Sequence, residues 1–225
     1  MTEITHDFDS RTRPARKPAM TTDANFWDKI ADKYAARPIK NMEAYEQTME
    51  RTRSYLSTDQ DVLEVGCGSG STALLLAPSV KHMIATDISK RMIEIGEGKA
   101  RDQHVENVTF RQGPLSDETL VPESFDTILC YNTLHLVTNL PAVLQNLRGA
   151  LKPGGVFISK TVCLAEQTRL WAIPIRLMRL IGKAPYVGML TFDAIEQAVA
   201  GEGFEIVETG IYSAPFSRFV VARKR

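Results

Sequence analysis

The chain has 225 residues, with 27 Lys plus Arg against 27 Asp plus Glu, and 44% of it is hydrophobic. That length holds one α/β domain with a sizeable core, and the balanced charge gives no basic field to draw nucleic acid, which is not expected as a partner. Cys67, Cys130 and Cys163 are odd in number, far apart and form no CxxC pair, so a reducing, cytoplasmic setting is expected, with no disulfide framework and no metal site.

Residues 1–24 are polar and irregular, with Arg11, Arg13, Arg16 and Lys17 beside Pro14 and Pro18. They are expected to form a loosely ordered arm before a single domain over 25–225. No run is apolar and long enough to span a bilayer, and no secretory h-region opens the chain. From Asp23, a candidate cap, the residues Phe26, Trp27, Ile30 and Tyr34 recur at helical spacing. A second helix is predicted over 41–57. Strand one is predicted at 61–65, a helix at 71–78, strand two at 82–86 ending on Asp87, and a helix at 89–101. Strands three and four follow at 108–111 and 126–130, then a helix at 141–151. The turn Lys152-Pro153-Gly154-Gly155 leads into strand five at 156–160. A helical insertion over 164–190 separates this from a helix at 192–201 and two last strands, 204–211 and 216–222. Strands alternating with helices imply a parallel sheet covered on both faces, and the short last connection implies an antiparallel C-terminal hairpin.

The most informative stretch is Val62-Leu63-Glu64-Val65-Gly66-Cys67-Gly68-Ser69-Gly70. It reads as a buried strand running into a glycine-rich turn that opens a helix. Gly66 and Gly68 allow close backbone approach to a ligand where a Cβ would collide. Helix-start N–H groups favour a negatively charged ligand group. The carboxyl end of such a strand is where open α/β sheets bind nucleotide-like molecules. A dinucleotide fingerprint would need a sixth-position glycine, but Ser71 stands there, and Glu64 suits a cationic ammonium while repelling a diphosphate.

With those features the segment resembles motif I of the class I S-adenosylmethionine-dependent methyltransferases, and the likeness covers about residues 25–225. It implies a Rossmann-like three-layer α/β fold with a seven-stranded, mostly parallel sheet. It also implies S-adenosylmethionine as cofactor and S-adenosylhomocysteine as product. Asp87 would accept from ribose hydroxyls, although an Asp at a strand end also serves as a helix cap. Ile88 and Met92 would lie against the adenine. Phe125-Asp126-Thr127-Ile128-Leu129-Cys130-Tyr131-Asn132 resembles the family's fourth motif, whose backbone around Cys130 and Tyr131 would line the methionine part. Gly113-Pro114-Leu115 stands where many members carry Gly-Asp, which leaves adenine recognition to the Leu115 backbone or to Asp117. The helix containing Tyr34 resembles the family's cofactor lid. Helical spacing accommodates Tyr34 equally as a core aromatic, and it favours the core for Trp27.

The resemblance implies methyl transfer to a small apolar or aromatic acceptor, with oxygen as the expected site and quinone-biosynthesis methyltransferases as the similar group. A sulfonium methyl is already activated, so a general base is optional. His135, which follows strand four and would titrate near neutral pH, is the candidate; an ordinary loop histidine is the alternative. In the insertion, Arg169, Ala172, Arg176, Arg179 and Lys183 fall at three- and four-residue steps among apolar residues. That pattern suits a lid over the substrate, or a weak peripheral contact of 169–183 with anionic lipid. Rival readings are a catalytically silent cofactor-binding subunit, a methyltransferase acting on lipid at a membrane surface, and a nicotinamide oxidoreductase, which Glu64 and Ser71 disfavour. A protein or nucleic-acid methyltransferase would carry an Asn-Pro-Pro-aromatic turn where this chain has Tyr131-Asn132-Thr133-Leu134.

Overall fold

Alternating hydrophobic strands and capped amphipathic helices fold into three layers. The computed structural model describes residues 21–114, 120–212 and 216–225; of the arm expected over 1–24, residues 1–20 lie outside them and 21–24 are helical. The helices are α1 (Thr21–Ala35), α2 (Met42–Arg53), α3 (Ser71–Leu76), α4 (Lys90–Asp102), α5 (Leu140–Ala150), α6 (Ala172–Leu180) and α7 (Phe192–Gly201). The strands are β1 (Asp61–Val65), β2 (His82–Asp87), β3 (Val108–Gln112), β4 (Phe125–Tyr131), β5 (Leu151–Val162), β6 (Phe204–Gly210) and β7 (Ser217–Lys224). They form one sheet in the order β3-β2-β1-β4-β5-β7-β6. The first five strands pair in parallel, and β7 runs antiparallel to both β5 and β6.

Each strand divides its side chains between two cores, because successive residues point to opposite faces. Val62, Leu129, Ile158 and Val221 face a core completed by Met49 of α2, Leu74 and Leu76 of α3, and Ile93 of α4. Leu63, Ile128, Phe157 and Val220 face the other, against Leu144 and Leu147 of α5 and Ile195 and Val199 of α7. Helix starts follow the expected chemistry of side-chain oxygens accepting from first-turn N–H groups. Asn41 caps α2, Ser89 caps α4, Asn139 caps α5 and Thr191 caps α7, each at 3.0–3.3 Å.

Several boundaries differ from the sequence expectation. α1 starts at Thr21, which places Asp23 inside the first turn instead of at the cap. α2 stops at Arg53. Phe125 pairs with Leu151 and Thr127 with Val156, so Lys152–Gly155, expected as a turn before strand five, bulges out within β5. The insertion is only partly helical. Short 3-10 turns at Leu164–Glu166 and Arg169–Trp171 lead into α6, and residues 183–190 are not helical. Pro174 is tolerated because it sits in the first turn of α6, where its missing N–H costs nothing. Gly182, at φ +68°, follows the helix end. The basic stripe therefore keeps helical spacing only at Arg176 and Arg179.

Gly70 precedes α3 at φ +75°, and a Cβ there would stand 2.6 Å from the Phe110 ring. Gly70→Ala is expected to lower stability by about 1–3 kcal/mol through left-handed strain alone, with the ring contact adding to it. Urea denaturation of the two proteins measures the difference, and equal midpoints would contradict it.

Candidate functional site

A cavity of about 840 Å³ opens at the carboxyl ends of β1, β2 and β4, within the range of small-molecule sites. Its floor is the turn after β1. Gly66 has φ +69°, and a Cβ on it would lie 2.4 Å from Thr133 Oγ1, whereas a Cβ on Gly68 would meet only Tyr34, at 3.8 Å. Gly66 thus lets the turn pass the β4 loop, and Gly68 turns its bare face to the cavity beneath Tyr34. The turn is held from outside by Lys99 of α4, whose ammonium donates to Ser69 O at 3.1 Å, Ser69 Oγ at 3.0 Å and Ser71 Oγ at 3.0 Å.

Two carboxylates line this floor. Asp87 Oδ2 accepts from Gly68 N at 2.9 Å and Oδ1 from Ser89 N at 2.8 Å. Each oxygen retains a lone pair for a ligand hydroxyl, so the cap and the ligand roles are compatible. Glu64 is 2% exposed, and its Oε2 is buried with no hydrogen-bond partner among the described residues. Burial, and then the Asp87 charge, pushes the Glu64 carboxyl up to about 8. Burial also raises Asp87, against the two N–H donors. A buried acid without a partner is costly, and a cationic ligand group would relieve it.

The walls come from both chain ends of the sheet edge. Ile88 and Met92 lie beyond β2, Trp27 and Tyr34 on α1, Tyr45 on α2, and Leu136, Val137, Ala142 and Val143 after β4. α1 is seated on α4 through Asp28, whose Oδ1 accepts from Ser89 Oγ at 2.6 Å and Arg91 N at 3.0 Å. Asp32 pairs with Arg91 at 2.7 Å. The Trp27 and Tyr34 rings meet edge to face at 6.1 Å between centroids, and Tyr34 remains 44% exposed. Tyr131 closes the inner wall, its hydroxyl sharing a 2.6 Å hydrogen bond with Thr52 Oγ1 of α2.

The structure thus gathers Tyr34, Glu64, Gly66, Cys67, Gly68, Asp87, Ile88, Met92 and Tyr131 around one cavity. Trp27, favoured from spacing as a core residue, lines it as well. Two residues behave otherwise. The Cys130 side chain is fully buried against the α5 and α7 layer, because alternation along β4 turns it away from the Tyr131 face. His135 is absent from the cavity wall; its Nδ1 is buried without a partner among the described residues, and burial pushes its pKa down to about 4. It therefore does not titrate near neutral pH. Leu115 and Asp117 lie outside the described residues. Lys160 of β5, Arg179 of α6 and Ser217 of β7 also line the cavity. No motif marked them, since only the strand order brings β5 and β7 to this edge. No group of three or more His, Cys, Asp or Glu that could hold a metal occurs among the described residues.

A family model described as a methyltransferase domain matches residues 56–181. The uncharacterized methyltransferase YcgJ of Bacillus subtilis is 34% identical over 97 residues, which is 43% of this chain and 38% of the relative. A ubiquinone biosynthesis O-methyltransferase of Acinetobacter baumannii is 25% identical over 153 residues, 67% of this chain and 62% of the relative. The chain thus matches less than two thirds of the length of either relative. The crystal structure of the Bacillus YcgJ protein superposes with a TM-score of 0.66 at 16% identity, covering 80% of this chain and 99% of that one. It shares the same fold.

Because the folded Glu64 carboxyl titrates near 8 instead of 4.5, the native state holds a proton that the unfolded chain has released between those values. This contribution to stability is present below pH 4.5 and is lost as pH rises towards 8. Glu64→Gln is therefore expected to be more stable than wild type at pH 8, with little difference at pH 5. Denaturation at both pH values without ligand tests this; a constant difference between the proteins would contradict it.

Proposed function

Since the chain belongs to the methyltransferase domain family, we propose that it transfers a methyl group from S-adenosylmethionine to a small organic acceptor, at oxygen. The observation that carries this reading is the buried, unpartnered Glu64 beside Asp87 on a glycine turn. A cofactor with an ammonium, ribose hydroxyls and no phosphate fits that donor set, and a dinucleotide diphosphate does not. Glu64 would hold the ammonium and Asp87 the ribose hydroxyls. Ile88 and Met92 would flank the adenine, and the backbone at Gly66–Gly68 would follow the methionine part.

S-adenosylmethionine supplies an activated methyl on a sulfonium. The chain's own residues align the acceptor and exclude water, the two effects that matter most for such a transfer. Tyr34 and Trp27 cover the floor, Tyr131 limits its inner end, and Leu136, Val137, Ala142 and Val143 give the acceptor an apolar wall. With His135 outside the cavity, no histidine among the described residues serves as a base there, which favours an acceptor oxygen that ionises readily. The name of the Acinetobacter relative supports oxygen as the acceptor atom. α6 lies at the mouth, since Arg179 is one of the lining residues, and this favours its role as a lid.

A second reading rests on the outer side of α6. Leu170, Ile173, Leu177, Leu180 and Ile181 are 60–83% exposed beside Arg176 and Arg179, a contiguous apolar patch of the kind that meets a partner or a lipid surface. No helix among the described residues is long and apolar enough to cross a membrane. On this reading the lid touches anionic lipid. Sedimentation with vesicles containing phosphatidylglycerol should pull down the protein, and Leu177→Glu with Leu180→Glu should abolish it. No pelleting by wild type leaves α6 a lid only.

Calorimetric titration should show binding of S-adenosylmethionine and S-adenosylhomocysteine but not NAD. Asp87→Ala is expected to weaken that binding by about 1.5–3 kcal/mol, the worth of lost charge-assisted hydrogen bonds; an unchanged affinity would refute the ribose assignment. Label from methyl-labelled cofactor should enter a metabolite extract, whereas binding without transfer would mark a silent subunit.

A further inference from the structure

The acids of the cavity, Glu64 and Asp87, stand on β1 and β2 with Arg37 after α1 near them, and Lys160 on β5 and Arg179 on α6 also line it. Lys160 pairs in register with Tyr131 on one side and Phe219 on the other. Alternation along β5 sets it on the same face as Ile158, the face of the Glu64 floor. It is half-buried, and it makes no ion pair among the described residues. Burial is the sole cause that shifts its pKa, downward from 10.5, with no neighbouring carboxylate opposing it. A lysine that only needed water would extend its stem and leave its head in solvent. This one ends in the cavity.

Arg179 of α6 lines the same cavity, its guanidinium 5.1 Å from the centre of the Tyr186 ring. Ser217 at the start of β7 adds a hydroxyl on the same side, opposite Val162 in the β5 register. Between these polar groups and the turn lies the apolar wall of Leu136, Val137, Ala142 and Val143. An ammonium and a guanidinium without acids complement an anion, and a guanidinium matches the geometry of a carboxylate.

We propose that the β5 side of the cavity selects an acceptor that is an apolar carboxylic acid, with Lys160 anchoring its carboxylate and Arg179 closing over it. This rests on the cofactor reading above and adds the chemical class of the acceptor. Lys160 is a binding residue here: it fixes which end of the acceptor faces the methyl group. The Asp87 carboxylate also disfavours the acceptor acid on the floor.

The test uses matched probes on the full chain saturated with S-adenosylhomocysteine: 3-phenylpropanoate against 3-phenylpropanamide, and octanoate against octanamide. Each acid should bind about tenfold or more tightly than its amide, as expected for a charge-assisted contact in a partly desolvated site. In Lys160→Met the preference should fall below about twofold, while affinity for S-adenosylhomocysteine, which reports the intact floor, stays the same. Lys160→Arg should restore part of the preference, and Arg179→Met should reduce it without abolishing it. Equal binding of acid and amide, no binding of either acid, or a preference that survives Lys160→Met each overturns the proposal. Failure of wild type to bind S-adenosylhomocysteine would instead remove the cofactor reading beneath it.

Discussion

Glu64 is buried near the end of a central strand with no hydrogen-bond partner for its Oε2 among the described residues, and the cavity is built around that acid. β1 lies between β2 and β4 in the middle of the sheet, so its carboxyl end is closed by protein on both sides. Asp87, one strand away, raises the cost further. It is itself held by Gly68 and Ser89 N–H groups, so it cannot swing out to relieve the repulsion. A pair of acids kept close in low dielectric is a preorganised receptor for a positively charged ligand. The ionisation that a ligand rewards is the same ionisation that the empty fold resists.

That receptor is assembled by contacts far apart in the chain. Gly66 yields to Thr133, Gly70 yields to Phe110 of β3, and Lys99 of α4 binds the serines between them. Asp28 connects α1 to the start of α4 and thereby sets Tyr34 above Gly68. The helix that covers the site is thus anchored on the helix that carries Met92. Opposite, β5 and β7 bring Lys160 and Ser217 to the same edge, and α6 brings Arg179. Lys160 stands apart from the two acids because the strand order puts β1 and β2 on one side of β4 and β5 on the other.

The acidic half was legible in the chain. Glycines at alternate positions after an apolar strand, an acid before them and another at the end of the next strand form a local pattern, and local patterns survive without tertiary information. The same holds for the strand–helix alternation. The basic half was not legible, since Lys160 reads simply as the end of an apolar strand. His135 shows the opposite failure. Its position after strand four suggested the mouth of the site, but the short turn there directs Leu136 and Val137 inward and leaves the imidazole buried to one side. Strand alternation turns the Cys130 side chain to the core under α5 and α7, a matter separate from the backbone role expected of it.

By itself, then, the amino-acid order determined the layered α/β class, the turn after β1 and the two acids, because backbone permissiveness and hydrophobic period are properties of neighbouring residues. Tertiary structure alone decided that Glu64 Oε2 is buried without a partner among the described residues, that α1 seats Tyr34 over the turn, that the 164–190 insertion is α-helical only across Ala172–Leu180, and that Lys160 lines the same cavity as Glu64. Each of those depends on which distant strands become neighbours, and burial, the cause of every large charge shift in the site, exists only once they have.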